Sequence, residues 1–146
     1  MTVVVDANLA VGLVLPHTYT SHSAQLFADW YGGNERLFAP ALLEYEASSA
    51  LRRAISIWMI DEQAALLGLR VILGLGIELL TPSHFLDEQA LFLAERIGQS
   101  KAYDSQFLAL AQQENAQLWT ADRRLAQAAQ QASLPWVHWV GEVPAS

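Results

Sequence analysis

Along the chain, short continuous runs of apolar residues alternate with longer segments whose apolar residues recur at helical spacing. The first run, TVVVD at residues 2–6, is continuous and β-branched, as in a strand buried on both faces of a parallel sheet. The next segment, ANLAVGLVLP at residues 7–16, indicates a helix that ends near its proline. The same strand pattern predicts four further strands, RLFAP (36–40), IELLTP (77–82), AQLWT (116–120) and WVHWV (136–140).

The later predicted helices have apolar residues at helical spacing and recognisable end signals. A loop at residues 17–22 precedes the first of them, and Gly32 and Gly33 are expected to end it. Pro40 is expected to open the next helix, and Asp61 to cap the one after that. These helices are SAQLFADWY (23–31), ALLEYEASSALRRAI (41–55), EQAALLGLRVIL (62–73), FLDEQALFLAERIG (85–98), AYDSQFLALAQQE (102–114) and RRLAQAAQQ (123–131).

This order of strands and helical crossovers favours a three-layer α/β/α fold with a mostly parallel central sheet of four to five strands. The 146 residues are about one domain's worth, so we expect a single domain spanning residues 1–146. In such sheets, ligands bind outside the carboxyl ends of the strands. Asp6 and Asp122 each follow a predicted strand, so both carboxylates are expected at that edge of the sheet.

Composition narrows the classes of protein to consider. With 53% hydrophobic and 16% charged residues the chain is too apolar for disorder, and without cysteine it has neither disulfides nor thiolate metal sites. The first apolar stretch has no basic flank and is interrupted by Asp6, which fits neither a signal peptide nor a membrane-spanning helix, so we expect a cytoplasmic protein. A net charge of −7 argues against a broad basic surface for nucleic acid, although a divalent cation among clustered carboxylates offsets part of that charge.

Helix geometry adds further acidic candidates. Asp104 lies in the first turn of its predicted helix, close to the apolar stripe, where the positive helix end favours an anion. Glu44 and Glu46 flank the apolar stripe of an earlier helix about 160° apart at about 100° per residue, so only one of them can face the active edge. The helical period does not choose between the two glutamates. Each aspartate taken alone also fits a helix cap or a first-turn acid.

Four acidic motifs, in order and in matching context, resemble those of the PIN domain family, specifically its VapC-like toxin branch. They are VVVDAN at the start, APALLEYEASSALRR after the second strand, AYDSQFLALAQ on a late helix and LWTADRRL after a late strand. The match runs from Thr2 to about Ala132, which is nearly the whole chain. An aspartate after an apolar strand is common, so the four motifs together carry the resemblance.

The resemblance implies a site for Mg²⁺ or Mn²⁺ formed by four carboxylates. Both ions prefer hard oxygen ligands, and a bound ion can acidify the attacking water and stabilise the charge that develops in phosphodiester hydrolysis. Glu46 is thereby selected over Glu44, a choice that the helical period leaves open. The metal-binding and catalytic carboxylates so assigned are those of Asp6, Glu46, Asp104 and Asp122.

The resemblance also implies supporting residues and partners. Thr120 matches a hydroxyl residue beside the last acid and Asn8 a polar residue near the first, whereas Ser49 stands where many relatives have asparagine. The implied function is endonucleolytic cleavage of RNA, with a small antitoxin protein as inhibitor in the active groove and a homodimer as the assembly. Cationic residues near the acidic motifs are candidates for contacts with RNA phosphates, namely Arg53, Lys101 and Arg123.

The assembly and the reaction each have alternatives. The apolar segment 41–80, with Trp58, Met59 and Ile60 in one run, suggests a dimer interface, and burial in the core is the alternative. A phospho-acceptor signalling domain also gathers aspartates around Mg²⁺, but it needs an acidic pair before its acceptor strand and a suitably placed lysine, and the only lysine is Lys101. A non-catalytic interaction module would be favoured by loss of an acid, and none is lost.

Overall fold

A five-stranded sheet forms the centre of the computed structural model, which describes residues 1–16 and 18–143. Every strand pairing is parallel, and the order across the sheet is β3-β2-β1-β4-β5. The strands are β1 (Thr2–Val5), β2 (Arg36–Pro40), β3 (Glu78–Leu80), β4 (Gln117–Thr120) and β5 (Val137–Trp139). The expected α/β fold with a parallel sheet is confirmed, with five strands.

Helices connect successive strands and flank the sheet. The helices are α1 (Ala7–Val14), α2 (Thr20–Gly32), α3 (Leu42–Ser56), α4 (Glu62–Leu73), α5 (His84–Arg96), α6 (Asp104–Gln113) and α7 (Arg123–Gln131), and a 3₁₀ helix (Val140–Glu142) follows β5. None of the helices in residues 1–16 and 18–143 has the length and apolar character needed to cross a membrane.

The three valines of β1 are buried, and both faces of this central strand are covered. Val4 packs into one hydrophobic cluster together with Phe38 and Leu118, and Val3 and Val5 pack into the other. This division follows from the two-residue period of a strand, which sends successive side chains to opposite faces. The sheet therefore has a core on each side, as expected for three layers.

Two details of the sequence prediction are wrong. Pro40 is the last residue of β2 and lies opposite Leu80, and α3 begins only at Leu42. Without an N–H group, proline can end the strand but cannot extend its ladder. The predicted loop at residues 17–22 is shorter, because Thr20 already belongs to α2. Short hydroxyl side chains suit the first turn of a helix as well as a loop. His17 lies outside the described residues.

The strand order places the acidic motifs together. From β1 the chain adds β2 and β3 on one side, and then returns to add β4 and β5 on the other side of β1. The order of the strands across the sheet therefore reverses between β1 and β4. In open parallel sheets a crevice forms at such a point, outside the carboxyl ends of the strands. Asp6 follows β1 directly, and Asp122 comes two residues after β4 ends at Thr120.

Candidate active site

Asp6 occupies the junction between β1 and α1, and its side chain is only 3% exposed. One carboxylate oxygen, Oδ1, accepts a hydrogen bond from the backbone N–H of Ala7 at 2.8 Å, so Asp6 is the N-cap of α1. The other oxygen, Oδ2, accepts from the hydroxyl of Thr120 at 2.8 Å. This second contact joins the ends of two neighbouring strands.

Thr120 is the centre of a polar network at this edge. Its Oγ1 also accepts from Nδ2 of Asn8 at 3.2 Å and from the backbone N–H of Asp122 at 3.0 Å. Asn8 in turn accepts from the N–H of Ala121 at 2.9 Å. The network exists because β1 pairs with β4 in a register that sets Val5 opposite Trp119, and it fixes the orientation of the Asp6 carboxylate. Thr120 and Asn8, the supporting residues that the resemblance implies, both donate hydrogen bonds to the Asp6 carboxylate, and their role in a catalytic site remains a prediction.

Asp122 has a structural role in the fold. Its Oδ1 accepts from the N–H groups of Arg124 at 2.9 Å and Leu125 at 3.2 Å, which makes it the N-cap of α7. The capping alternative considered for this residue is therefore realised, while its assignment as a metal ligand remains a prediction. The same carboxylate can do both, because Oδ2 takes no part in the cap.

We expect Asp122→Ala to lower the free energy of unfolding by about 1 kcal/mol, because α7 loses its only side-chain cap. Asp122→Asn keeps an acceptor oxygen at the same position and should change stability by only a few tenths of a kcal/mol. Urea denaturation in EDTA measures both variants. Equal losses in the two variants would mean that the charge, and not the cap, provides the stabilisation.

Glu46 and Asp104 line a single cavity of about 780 Å³ beside this network. Asp104 is the first residue of α6, and its Oδ2 accepts from Nε2 of Gln99 at 2.9 Å. Ser49, the departure from the family pattern, lines the same cavity one helical turn after Glu46. Glu44 is exposed on α3 and does not line this cavity, so of the two glutamates only the half-buried Glu46 lies in the cavity wall with Asp104.

The carboxylates interact electrostatically, although they come from three separate elements. Burial raises the pKa of Asp6 to about 7, the hydroxyl of Thr120 opposes that rise, and the negative charges of Glu46 and Asp104 add to it. Burial also raises the pKa of Glu46 to about 7, with a further contribution from Asp104. Neighbouring acids with strongly perturbed pKa values are typical of functional sites.

The donor set fits a hard divalent cation. Oε1 of Glu46 is buried and has no hydrogen-bond partner among residues 1–16 and 18–143, so a carboxylate oxygen is left for a ligand. Within these described residues, no three acidic or histidine side chains stand close enough to enclose an ion by themselves. Mg²⁺ does not require such a cage, because it keeps several water ligands and takes one or two carboxylates.

The predicted phosphate-binding cations lie at different distances from the acids. Lys101 is exposed and lines the same cavity as Glu46 and Asp104. Arg123 begins α7, directly after Asp122, with its guanidinium 5.0 Å from the ring centre of Trp139. Arg53 is exposed in the last turn of α3 and does not line the cavity. The structure thus brings only Lys101 to the wall of this cavity.

Sequence reasoning missed several residues of the cavity wall. Gln99 hydrogen-bonds Asp104, and Tyr45 and Tyr103 line the opening. A usable signal existed for both tyrosines, since each directly precedes one of the acids, Glu46 and Asp104, in the sequence. Gln99 belongs to the segment between α5 and α6. That segment has no helical or strand periodicity, so the sequence does not predict where the side chain of Gln99 points.

Comparisons with known proteins agree with this architecture. The family model of the PIN domain matches residues 3–131. Among solved structures, PAE2754 from Pyrobaculum aerophilum is 24% identical, with a TM-score of 0.70 over 97% of this chain and 85% of that one. The Mycobacterium tuberculosis toxin VapC20 (Rv2549c), which cleaves the sarcin-ricin loop, is 16% identical, with a TM-score of 0.66 over 86% and 94%. A toxin-antitoxin complex from Klebsiella pneumoniae contains a chain 17% identical, with a TM-score of 0.62 over 93% and 95%. No curated protein matches the chain.

Proposed function

The chain belongs to the PIN domain family, and from that premise we propose that it is a divalent-metal-dependent endoribonuclease, the toxin of a toxin–antitoxin pair. The observation that carries the proposal is the cavity lined by Glu46 and Asp104, which we call the acidic cavity. The buried Asp6 interacts electrostatically with both of these acids. The pKa values of Asp6 and Glu46 are raised, and Glu46 has a buried carboxylate oxygen without a partner in the described residues. Such a group of acids is electrostatically unfavourable unless a cation joins it.

In this proposal Asp6, Glu46, Asp104 and Asp122 hold Mg²⁺ or Mn²⁺. The bound ion supplies an acidified water and neutralises the charge that develops on the phosphate. Thr120 and Asn8 keep the Asp6 carboxylate oriented, and Gln99 does the same for Asp104. Lys101 holds a phosphate of the substrate at the cavity wall, where its single positive charge offsets part of the acidic field.

The purified chain is expected to cut single-stranded RNA internally in Mn²⁺ or Mg²⁺ and to stop when EDTA is added. The physical reason is that the proposed hydrolysis uses a water molecule made more acidic by a cation held on these acids. Denaturing gel electrophoresis of end-labelled RNA measures it, with Ca²⁺ as an ionic-strength control. Full cleavage in EDTA, or cutting from one end only, would contradict the proposal.

RNA as substrate and a small antitoxin as inhibitor are supported by the neighbours, which include a toxin that cleaves the sarcin-ricin loop and a toxin-antitoxin complex. The phospho-acceptor alternative has less support. The sequence lacks an acidic pair before an acceptor strand, and the chain's one lysine, Lys101, is exposed at the wall of the cavity. Cleavage of RNA, and not phosphorylation of the protein by a small phosphodonor, is the expected activity.

A homodimer is the proposed assembly. Trp58, at the tip between α3 and α4, is 94% exposed, and α4 exposes Leu66, Leu67 and Val71 on one side. Core burial, the alternative for Trp58, Met59 and Ile60, holds only in part: Trp58 and Met59 are exposed, whereas Ile60 is partly buried and packs against the core. Several large exposed apolar side chains on one helix and on the turn before it support an interface.

Light scattering coupled to size-exclusion chromatography at micromolar concentration should give the mass of a dimer. Leu67→Gln should shift the mass toward the monomer, because it places an amide in the apolar contact. Leu91→Gln, at a similarly exposed leucine of α5, is the matched control and should leave the dimer intact. A monomeric wild-type chain, or equal effects of both variants, would contradict the use of this surface.

A further inference from the structure

A second cavity, of about 740 Å³, lies beside the acidic cavity and shares part of its wall. We refer to it as the side groove. Tyr45, Tyr103 and Lys101 line both cavities, so the two are continuous along these side chains. The buried residues Leu86 and Leu110 contribute to the lining of the side groove, which is more apolar than the acidic cavity. Its size is in the range of sites that bind small molecules or parts of larger ligands.

The two tyrosines are unusually exposed for aromatic residues at a cavity wall, with 71% of Tyr45 and 61% of Tyr103 accessible to solvent. Neither contributes much buried area to the core. Each is tied to the acids by the backbone, since Tyr45 precedes Glu46 on α3 and Tyr103 precedes Asp104 at the start of α6. All four side chains line the acidic cavity, so both tyrosines lie on the same wall as Glu46 and Asp104.

This continuous surface passes from a charged end, the acidic cavity, to an apolar end, the side groove. A nucleotide likewise has a charged phosphate at one end and a flat base at the other. The acidic cavity is the proposed place of the scissile phosphate and its cation, and Lys101 lies at the boundary between the two cavities. The two tyrosines lie at the same boundary, and the apolar lining of the side groove begins there. The base of a nucleotide has two π-faces, and such bases stack on exposed aromatic side chains.

We propose that the side groove binds the nucleobase next to the scissile phosphate, stacked on Tyr45 and Tyr103. The inference rests on the proposed function, since it takes RNA to be the substrate of the acidic cavity. Because stacking needs an unpaired base, the substrate class is single-stranded RNA or an RNA loop. Lys101 holds the phosphate of the same nucleotide in place.

The test uses a short single-stranded RNA that the wild-type chain cuts at one mapped position. Tyr45→Ala and Tyr103→Ala should each lower kcat/KM by about 5- to 150-fold, the range that corresponds to roughly 1 to 3 kcal/mol for stacking of one base. Tyr45→Phe and Tyr103→Phe keep the ring and should retain the activity. Phe92→Ala removes a similarly exposed aromatic ring from α5, away from the groove, and should leave cleavage unchanged.

An abasic residue beside the cleaved phosphate provides the second arm. It should lower cleavage by the wild-type chain as much as the tyrosine truncations do. Cleavage of the abasic RNA by a tyrosine variant should be little slower than with either change alone, because both changes remove the same contact. Losses that multiply, or tyrosine variants with wild-type activity, would overturn the proposal. If the truncations leave RNA cleavage intact but dissociate the dimer, the groove is a protein interface.

Binding of the same RNA in EDTA, measured by fluorescence anisotropy, separates this inference from the proposed function. If the tyrosine truncations and the abasic residue weaken RNA binding but the RNA is never cut, the side groove is supported and the nuclease is overturned. RNA that is cut without that dependence supports the nuclease and overturns the side groove as a base-binding site. Absence of RNA binding in any condition overturns both.

Discussion

Glu46→Gln is expected to lower metal-dependent RNA cleavage by about a thousandfold or more, while Glu44→Gln leaves it within about twofold of wild type. Both changes remove one negative charge from the same turn of α3 and keep the size of the side chain. Only Glu46 lines the acidic cavity and has a buried oxygen free for a cation. Losing that ligand removes several kcal/mol of transition-state stabilisation.

The measurement is single-turnover cleavage of labelled RNA at saturating Mn²⁺, together with a thermal melt of each variant in EDTA. Glu46→Gln should be as stable as wild type without metal or more stable, since it relieves repulsion from Asp104. Loss of activity with an equal loss of stability would indicate a folding defect. Similar activities of the two glutamine variants would mean that Glu46 is not a metal ligand.

The pair of glutamates also shows where sequence reasoning reaches its limit. Helical period establishes that they flank the apolar stripe on opposite sides, but it does not say which side faces the sheet edge. That depends on how α3 packs, which is a long-range property. By contrast, Asp6 was predictable from local pattern, because a β-branched strand followed at once by a helix leaves its first polar residue at the carboxyl edge.

Contacts between distant segments account for most of what the sequence could not provide. The hydrogen bond from Thr120 to Asp6 requires the parallel pairing of β1 with β4, and that from Gln99 to Asp104 requires the path of an irregular segment. The exposure of Tyr45 and Tyr103 is likewise a tertiary result. Asp122 illustrates a different limit, since a residue can cap a helix and still present a second oxygen to a ligand.

The metal-free protein is expected to lose stability as the pH rises from about 4 to above 7. In the unfolded chain Asp6 and Glu46 have ordinary pKa values of 3.8 and 4.5, whereas in the folded chain burial and neighbouring acids raise both pKa values to about 7. Within this window the folded protein binds more protons than the unfolded one, so the free energy of unfolding falls as protons leave. For the buried Asp6 the change is on the order of 4 kcal/mol.

Urea denaturation in EDTA at a series of pH values measures this dependence, and Asp6→Asn is the variant that isolates its main source. Asparagine keeps an acceptor oxygen for the N–H of Ala7 but carries no proton to lose, so the variant should be more stable than wild type above pH 7 and show a shallower pH dependence. Saturating Mn²⁺ should reverse the wild-type trend, because the cation competes with protons for the same oxygens and stabilises only the folded state. A wild-type protein that gains stability with pH in EDTA would contradict a cation site at this carboxylate. So would an Asp6→Asn variant that stays within a few tenths of a kcal/mol of wild type at every pH, as expected when asparagine replaces aspartate at a plain helix cap.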